Sequence, residues 1–273
     1  MNIKFLNLGM QPLANEYPSF GSKKQKKYNL KICFNTKNKV VSISKRMKSE
    51  KMFNQKYPYR SSMSKTMKDS FKKLSKDILK RFNPNLTLEI GSNDGALITN
   101  LNKKKVIGIE PCSNLAAITK KKGFITYDEY WNFDLAKKLK KKHGPIDLIY
   151  SANTLTHISN LNEVFKSINY LLNKNGILII EDPSLLECIK NNAYDQFYNE
   201  HIYVFSALAL RNILRKFDMD IFDIQNLKTH GGSIRYFIKK KQNNKIKIFN
   251  KVQKQFKAEK RFGLEKLSTY KKF

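Results

Sequence analysis

The sequence predicts an α/β protein, a Rossmann-like domain with a small irregular N-terminal lobe. Three observations carry that expectation. Five short apolar runs between Leu86 and Ile180 are separated by helical stretches of about ten to fifteen residues, the spacing of βαβ units on a parallel sheet. The first run closes on a loop bounded by glycines, Gly91-Ser-Asn-Asp-Gly95, and the second closes on an acid, Glu110. The 273 residues, 41% of them apolar, suffice for one large core.

The elements follow in order. Up to Ser62, Gly9, Pro12, Pro18, Gly21 and Pro58 punctuate short apolar pieces, and only Val40 to Ile43 reads as a strand. Met67, Phe71, Leu74, Ile78 and Phe82 recur at helical spacing, which predicts a helix over Ser64 to Phe82, ended by Asn83-Pro84-Asn85. Strands are predicted over Leu86 to Ile90, Val106 to Ile109, Phe124 to Tyr127, Ile146 to Tyr150 and Ile177 to Ile180. Between them, helices are predicted over Ala96 to Leu101, Asn114 to Lys122, a lysine-rich stretch ending at His143, and Leu161 to Leu172. A helix over Ser206 to Phe217, strands over Met219 to Leu227 and Ser233 to Lys239, and one or two charged helices over Asn244 to Phe273 complete the reading. The domain boundaries follow as 1–62 for the lobe, 63–241 for the α/β domain and 242–273 for a helical tail.

Charge narrows the partners less than its size suggests. A net charge of +31 invites polyanions, yet only seven of the 53 basic residues are arginine, the side chain favoured for clamping phosphates and reading bases. Scattered lysines fit solvated helix faces, and no specific nucleic-acid partner is expected. No apolar run approaches the ~20 residues that cross a bilayer, and the N-terminus lacks a secretory pattern. Cys33, Cys112 and Cys188 are too dispersed for a disulfide framework or a metal cluster, so a cytoplasmic protein without bound metal is expected.

The loop Leu88-Glu-Ile-Gly-Ser-Asn-Asp-Gly95 lies at a strand-to-helix turn, where glycine lets the backbone approach a ligand and a helix N-terminus presents free N–H groups. Glu110 follows about twenty residues on, where an acid accepts ribose hydroxyls. The loop is not Gly-x-Gly-x-x-Gly, and its acids would repel a pyrophosphate while suiting a cationic sulfonium. That contrast selects S-adenosylmethionine over a dinucleotide and makes the predicted fold a class I methyltransferase domain. Glu89, Gly91, Asn93, Asp94, Gly95 and Glu110 are the candidate cofactor residues, joined by Asn153 after the fourth strand.

The chain also resembles the sugar C-methyltransferases, which alkylate a ketosugar carried on a nucleoside diphosphate. The matching text is Asn7-Leu-Gly-Met-Gln-Pro-Leu-Ala-Asn15, Tyr57-Pro-Tyr-Arg-Ser-Ser62, Glu89-Ile-Gly-Ser-Asn-Asp-Gly95, Gly108-Ile-Glu-Pro111, Glu181-Asp-Pro183, Phe197-Tyr-Asn-Glu-His201 and His230-Gly-Gly-Ser233. The resemblance implies a nucleotide-sugar substrate, a base that removes a proton beside a ketone, and attack of the enolate on the methyl group. It places the base at His201, with Glu200 beside it to orient the imidazole and Tyr198 to meet the enolate oxygen; the same Glu-His pair also reads as a structural hydrogen bond. His157 and His230, with Gly232 in the same motif, either line the sugar pocket or stand at strand ends for structural reasons. Tyr57 and Tyr59 either close over the cofactor or pack between lobes.

Two departures accompany the resemblance. Family members carry four zinc-binding cysteines in the N-terminal lobe, whereas here only Cys33 stands there and Asn35 and Thr36 occupy the place of a partner, so no zinc is expected. The family continues into a second α/β domain, and this chain is expected to stop before it, with a partner chain as one source of the missing part. Two further readings follow: a methyltransferase-like module that is inactive or needs that partner, and, on charge alone, a nucleic-acid methyltransferase.

Overall fold

A computed structural model describes residues 1–22 and 25–273. In chain order the strands and α-helices are β1 (Asn2–Gln11), β2 (Tyr28–Asn35), β3 (Val41–Ile43), α1 (Ser49–Met52), α2 (Lys65–Phe82), β4 (Thr87–Ile90), β5 (Val106–Ile109), α3 (Ser113–Lys121), β6 (Ile125–Tyr127), α4 (Phe133–His143) and β7 (Ile146–Ala152). They continue as α5 (Leu161–Leu171), β8 (Leu172–Pro183), α6 (Leu185–Lys190), β9 (Tyr203–Val204), α7 (Ala207–Leu214), β10 (Met219–Leu227), β11 (Ser233–Lys240), α8 (Asn250–Phe262) and α9 (Leu267–Lys271).

The central sheet has seven strands in the order β10-β11-β8-β7-β4-β5-β6. Strands β4 to β8 run parallel, and β11 is antiparallel to both β8 and β10. The chain moves outward from β4 through β6 and then returns to β7 on the other side of β4. That reversal opens a crevice at the carboxyl ends of β4 and β7, the place where open α/β sheets bind ligands. This is the predicted α/β architecture.

Alternation along each strand fills both faces. Leu88, Ile107, Ile149 and Ile180 pack with α4 and α5, while Leu148, Tyr150 and Ile179 pack under α2. Met67, Phe71, Leu74 and Ile78 form the buried stripe of α2, as their spacing predicts. Ser64 caps that helix by accepting from Met67 N at 3.3 Å, and Asn83 ends it in the left-handed conformation at φ 41°.

Two local readings are corrected. The N-terminal lobe is not irregular, since β1, β2 and β3 form an antiparallel sheet. Register shifts at Lys4/Leu6 and Asn7/Met10 break the alternation of β1, which hides it in the sequence. The fourth strand of this sheet is β9, so the lobe holds the segment that follows His201: Val41 pairs with Val204, and Ile43 N donates to Ile202 O at 2.9 Å. The helix predicted over Ala96 to Leu101 is reduced to a 3₁₀ turn, Ile98–Asn100. Thr99 Oγ1 and Asn100 Nδ2 donate to the carbonyls of Gly95 and Ala96 at 2.7 and 2.8 Å, side-chain bonds that compete with a continuing helix. The helix N-terminus expected at the glycine loop is therefore absent. Among the described residues no helix is long and apolar enough to cross a membrane.

Candidate functional site

A cavity of about 570 Å³ opens at the carboxyl ends of β4, β5 and β7 and is roofed by the N-terminal segments around Asn15 and Phe53 to Ser61. On its sheet side lie Glu89, Gly91, Asn93, Glu110 and Asn153; on its far side lie Tyr57, Tyr59, His157, Tyr198, His201 and His230. The sequence candidates from six separate segments thus meet in one place.

Gly91 has φ +76°, and a Cβ there would stand 2.1 Å from Thr154 Oγ1, so the loop after β4 passes the loop after β7 at a separation only glycine permits. Glu110 ends β5 with both carboxylate oxygens engaged: Oε2 accepts from Asn93 N at 2.8 Å and Oε1 from Cys112 N at 2.9 Å. Each oxygen keeps a second lone pair, and those two can take a pair of ribose hydroxyls. Burial pushes the Glu110 carboxyl above the ordinary range, and the two N–H groups pull it partly back. Glu89 is pushed well above that range by burial and then by the charge of Glu110.

The cavity fits S-adenosylmethionine. Glu89 Oε2 and Asn153 Oδ1 are buried acceptors with no hydrogen-bond partner. Four glutamates, Glu50, Glu89, Glu110 and Glu163, line the cavity, and among the described residues no lysine or arginine does. In a chain of net charge +31 this wall of carboxyl groups without a lysine or arginine suits a ligand bearing an ammonium and a sulfonium.

On the other wall His201 is 7% exposed, with Nδ1 2.9 Å from Gln196 O and Nε2 2.7 Å from Tyr198 Oη. A carbonyl accepts only, so Nδ1 carries the proton, Nε2 is the free base nitrogen, and Tyr198 donates to it. Burial, then the neighbouring His157, lowers the His201 pKa to about 3. His157 places Nδ1 2.7 Å from Glu200 O, and its ring centroid lies 5.1 Å from that of His201. Burial also lowers the pKa of His157 and of His230, which lines the cavity with a φ of 52°. This wall therefore presents neutral imidazoles near neutral pH, able to receive a proton.

Four candidates do not line the cavity. Asp94 turns away from the cavity to accept from Ser62 N at 3.1 Å and to pair with Ser62 Oγ, tying the segment before α2 to the loop. Gly95, at φ +87°, serves packing: its Cβ would meet Thr119 Cγ2 at 2.6 Å. Glu200 does not orient His201. Glu200 Oε2 instead accepts from Asn15 Nδ2 at 2.8 Å and Tyr57 Oη at 3.3 Å. Gly232 gives its carbonyl to Ser184 N at 3.0 Å and would drive a Cβ against Glu187. Asn93 reaches the cavity, yet its side chain is spent on the roof, with Oδ1 accepting from Ser61 N at 2.8 Å and Nδ2 donating to Tyr59 O at 3.1 Å.

Sequence reasoning gave no role to Asn15, Thr154, Trp131 or Gln196. Asn15 closes the matching segment Asn7 to Asn15, which was the available signal. Gln196 acts through its backbone carbonyl, which no side-chain pattern reveals.

Comparison with known proteins bears on the family and the fold. The methyltransferase domain family matches residues 59–223, and the C-methyltransferase C-terminal domain family matches residues 228–273. The C-methyltransferase NovU of Streptomyces niveus is 30% identical over 154 residues, 56% of this chain and 37% of NovU. The match therefore spans little more than a third of that relative's length. Among solved structures, the PH0226 protein of Pyrococcus horikoshii OT3 superposes with a TM-score of 0.51 at 14% identity, covering 67% of this chain and 94% of that one. A S-adenosylmethionine-dependent methyltransferase from Clostridium acetobutylicum gives a TM-score of 0.48 at 12% identity over 63% of this chain and 91% of its own. The C-terminal match corrects the expectation that the chain stops before its second domain: residues 228–273, from the approach to β11 through α9, already belong to it. The chain belongs to the methyltransferase domain family, and its cofactor is S-adenosylmethionine.

Proposed function

We propose that this chain transfers the methyl group of S-adenosylmethionine to a carbon beside a ketone on a nucleotide-activated sugar. The observation that carries the reading is the Tyr198–His201 pair, a neutral imidazole with a free base nitrogen, facing the cofactor loop across one cavity. The likeness to NovU and the match to the C-methyltransferase C-terminal domain family support carbon as the acceptor. Buried free thiols at Cys33, Cys112 and Cys188 accord with a cytoplasmic setting.

When bound, S-adenosylmethionine supplies an electrophilic methyl group on a sulfonium. Glu110 would hold the ribose hydroxyls, and Glu89 and Asn153 would face the ammonium with their unpartnered oxygens. Gly91 keeps the loop close, and Tyr59 and Asn93 hold the roof over it. At the substrate, His201 Nε2 takes the proton from the carbon beside the ketone. That transfer requires Tyr198 Oη to turn first from the Nε2 lone pair to the ketone oxygen, where it donates to the developing enolate. Gln196 O keeps the second ring proton on Nδ1 throughout. A pKa of about 3 makes His201 a weak base in the free protein; the enolate formed beside it supplies the opposite charge that supports the imidazolium.

The carboxyl groups of the cavity also sort the substrate. With glutamates on its wall and no cation among its described residues, the cavity admits the uncharged sugar ring. The diphosphate then lies outside that wall, at the mouth of the cavity. The test uses S-adenosylmethionine carrying a ¹³C methyl group and a nucleoside-diphosphate 4-ketosugar. A product with the label on carbon, formed about 10²–10⁴-fold more slowly by His201→Gln with unchanged cofactor affinity, supports the reading. A label on oxygen, or a rate indifferent to His201, rejects it.

A further inference from the structure

The carbonyl that holds His201 sits on a turn clamped by Phe273. Tyr194–Gln196 is a single 3₁₀ turn, and Gln196 O is the partner of His201 Nδ1 at 2.9 Å. Three residues of 3₁₀ backbone with Tyr194 39% exposed have little rigidity of their own. The support comes from Phe273. Its ring stacks on Tyr194, with centroids 4.5 Å apart and planes 22° from parallel, and meets Phe197 edge-on at 5.9 Å. Tyr194 Oη donates to Phe273 O at 2.5 Å. One side chain thus touches both residues that flank Asp195 and Gln196.

The segment bearing Phe273 is anchored independently. Tyr270, 1% exposed, packs on Phe34 of β2 at 4.7 Å and on Phe5 of β1 at 5.1 Å, and donates to Leu264 O at 2.6 Å. Residues 264–273 therefore run as a strap from the N-terminal sheet to the turn that carries Gln196. The ring nitrogens of a neutral histidine are distinguished by the hydrogen bond that one of them makes. If Gln196 O moves, Nδ1 loses its acceptor, the proton can reside on Nε2, and the free base nitrogen then faces away from Tyr198.

We infer that Tyr194 and Phe273 are positioning residues for His201, their clamp fixing the Gln196 carbonyl and with it the tautomer that leaves Nε2 able to accept a proton. The inference rests on the reading of His201 as the base, and it makes the part matched by the C-methyltransferase C-terminal domain family a determinant of the state of that base.

The test is ¹⁵N-histidine NMR on the full chain with S-adenosylhomocysteine as the probe ligand, His201 being assigned by the signal lost in His201→Gln. Tyr194→Phe keeps the stacked ring and removes the hydroxyl; Phe273→Ala removes the stack. The wild-type chain should show His201 with Nδ1 alone protonated. Phe273→Ala should show the Nε2–H form at about 10% or more, with a smaller fraction in Tyr194→Phe, while cofactor affinity stays within about twofold. A folded Tyr194→Phe chain and a folded Phe273→Ala chain that both retain Nδ1–H alone would overturn the inference; if Phe273→Ala does not fold, an unshifted Tyr194→Phe does so by itself. A tautomer shift in a chain whose methyl transfer ignores His201→Gln would leave the clamp standing and remove the base assignment instead.

Discussion

Glu110→Ala should weaken S-adenosylhomocysteine binding by about a hundredfold or more while the domain stays folded. The carboxylate stands between two roles, since its oxygens accept from Asn93 N and Cys112 N and keep lone pairs toward the cavity. Hydrogen bonds to a charged acceptor contribute about 1.5–3 kcal/mol each, so losing two to ribose hydroxyls removes about 3 kcal/mol, roughly 150-fold in affinity. Two backbone N–H groups are also left unpaired beside the loop, which adds to the loss. Glutamine is not a conservative replacement here, because its amide would point N–H groups at one of those backbone donors. Glu110→Gln should therefore bind nearly as poorly as Glu110→Ala. Calorimetric titration with the homocysteine product, with circular dichroism to confirm folding, decides the matter. Binding by Glu110→Ala within about threefold of wild type would refute the role of this carboxylate.

Three further outcomes follow from the same geometry. Gly91→Ala combines a left-handed backbone with a 2.1 Å approach to Thr154 Oγ1; it should lower cofactor affinity about a hundredfold, and Thr154→Gly in the same chain should recover part of it, which titration of the single and double variants reads directly. Glu259 is 0% exposed and accepts from Ala207 N and Leu208 N at the start of α7; Glu259→Ala should cost about 2–4 kcal/mol in urea unfolding, and a loss below about 0.5 kcal/mol would contradict that role. His201 stays neutral in the folded chain down to about pH 3, whereas the unfolded chain takes up its proton below 6.5. Its contribution is thus complete above pH 6.5 and falls as pH drops toward 3, by about 1.4 kcal/mol per unit. His201→Gln should flatten the stability profile between pH 6 and 4 by about 2–3 kcal/mol relative to wild type, and parallel profiles would contradict the burial argument.

The sheet that carries the site was legible because its strands are continuous apolar runs, the first two closed by Gly91 and Glu110, and burial on both faces requires such runs. The elements that roof the site were not legible, for identifiable reasons. Register shifts interrupt β1, and β9 has two residues and exists only because β3 is there to pair with it. The failed helix after Gly95 shows local side-chain bonds from Thr99 and Asn100 outweighing a helical composition. Within the site, spacing identified Glu110 and the resemblance identified His201, yet neither could tell that Asp94 faces Ser62 or that Glu200 serves Asn15 and Tyr57. Residue type specifies capability, and the direction in which a side chain points depends on tertiary neighbours.

Proton removal from carbon separates this account from every other methyl transfer the fold could support. The direct measurement is NMR of a nucleoside-diphosphate 4-ketosugar in deuterium oxide with the chain and S-adenosylhomocysteine present, so that deprotonation proceeds without transfer. The account predicts loss of the proton signal beside the ketone at a rate set by the protein, and a rate about a hundredfold lower with His201→Gln. A chain that binds S-adenosylhomocysteine but leaves that signal untouched, or exchanges it equally well without His201, would contradict the central claim.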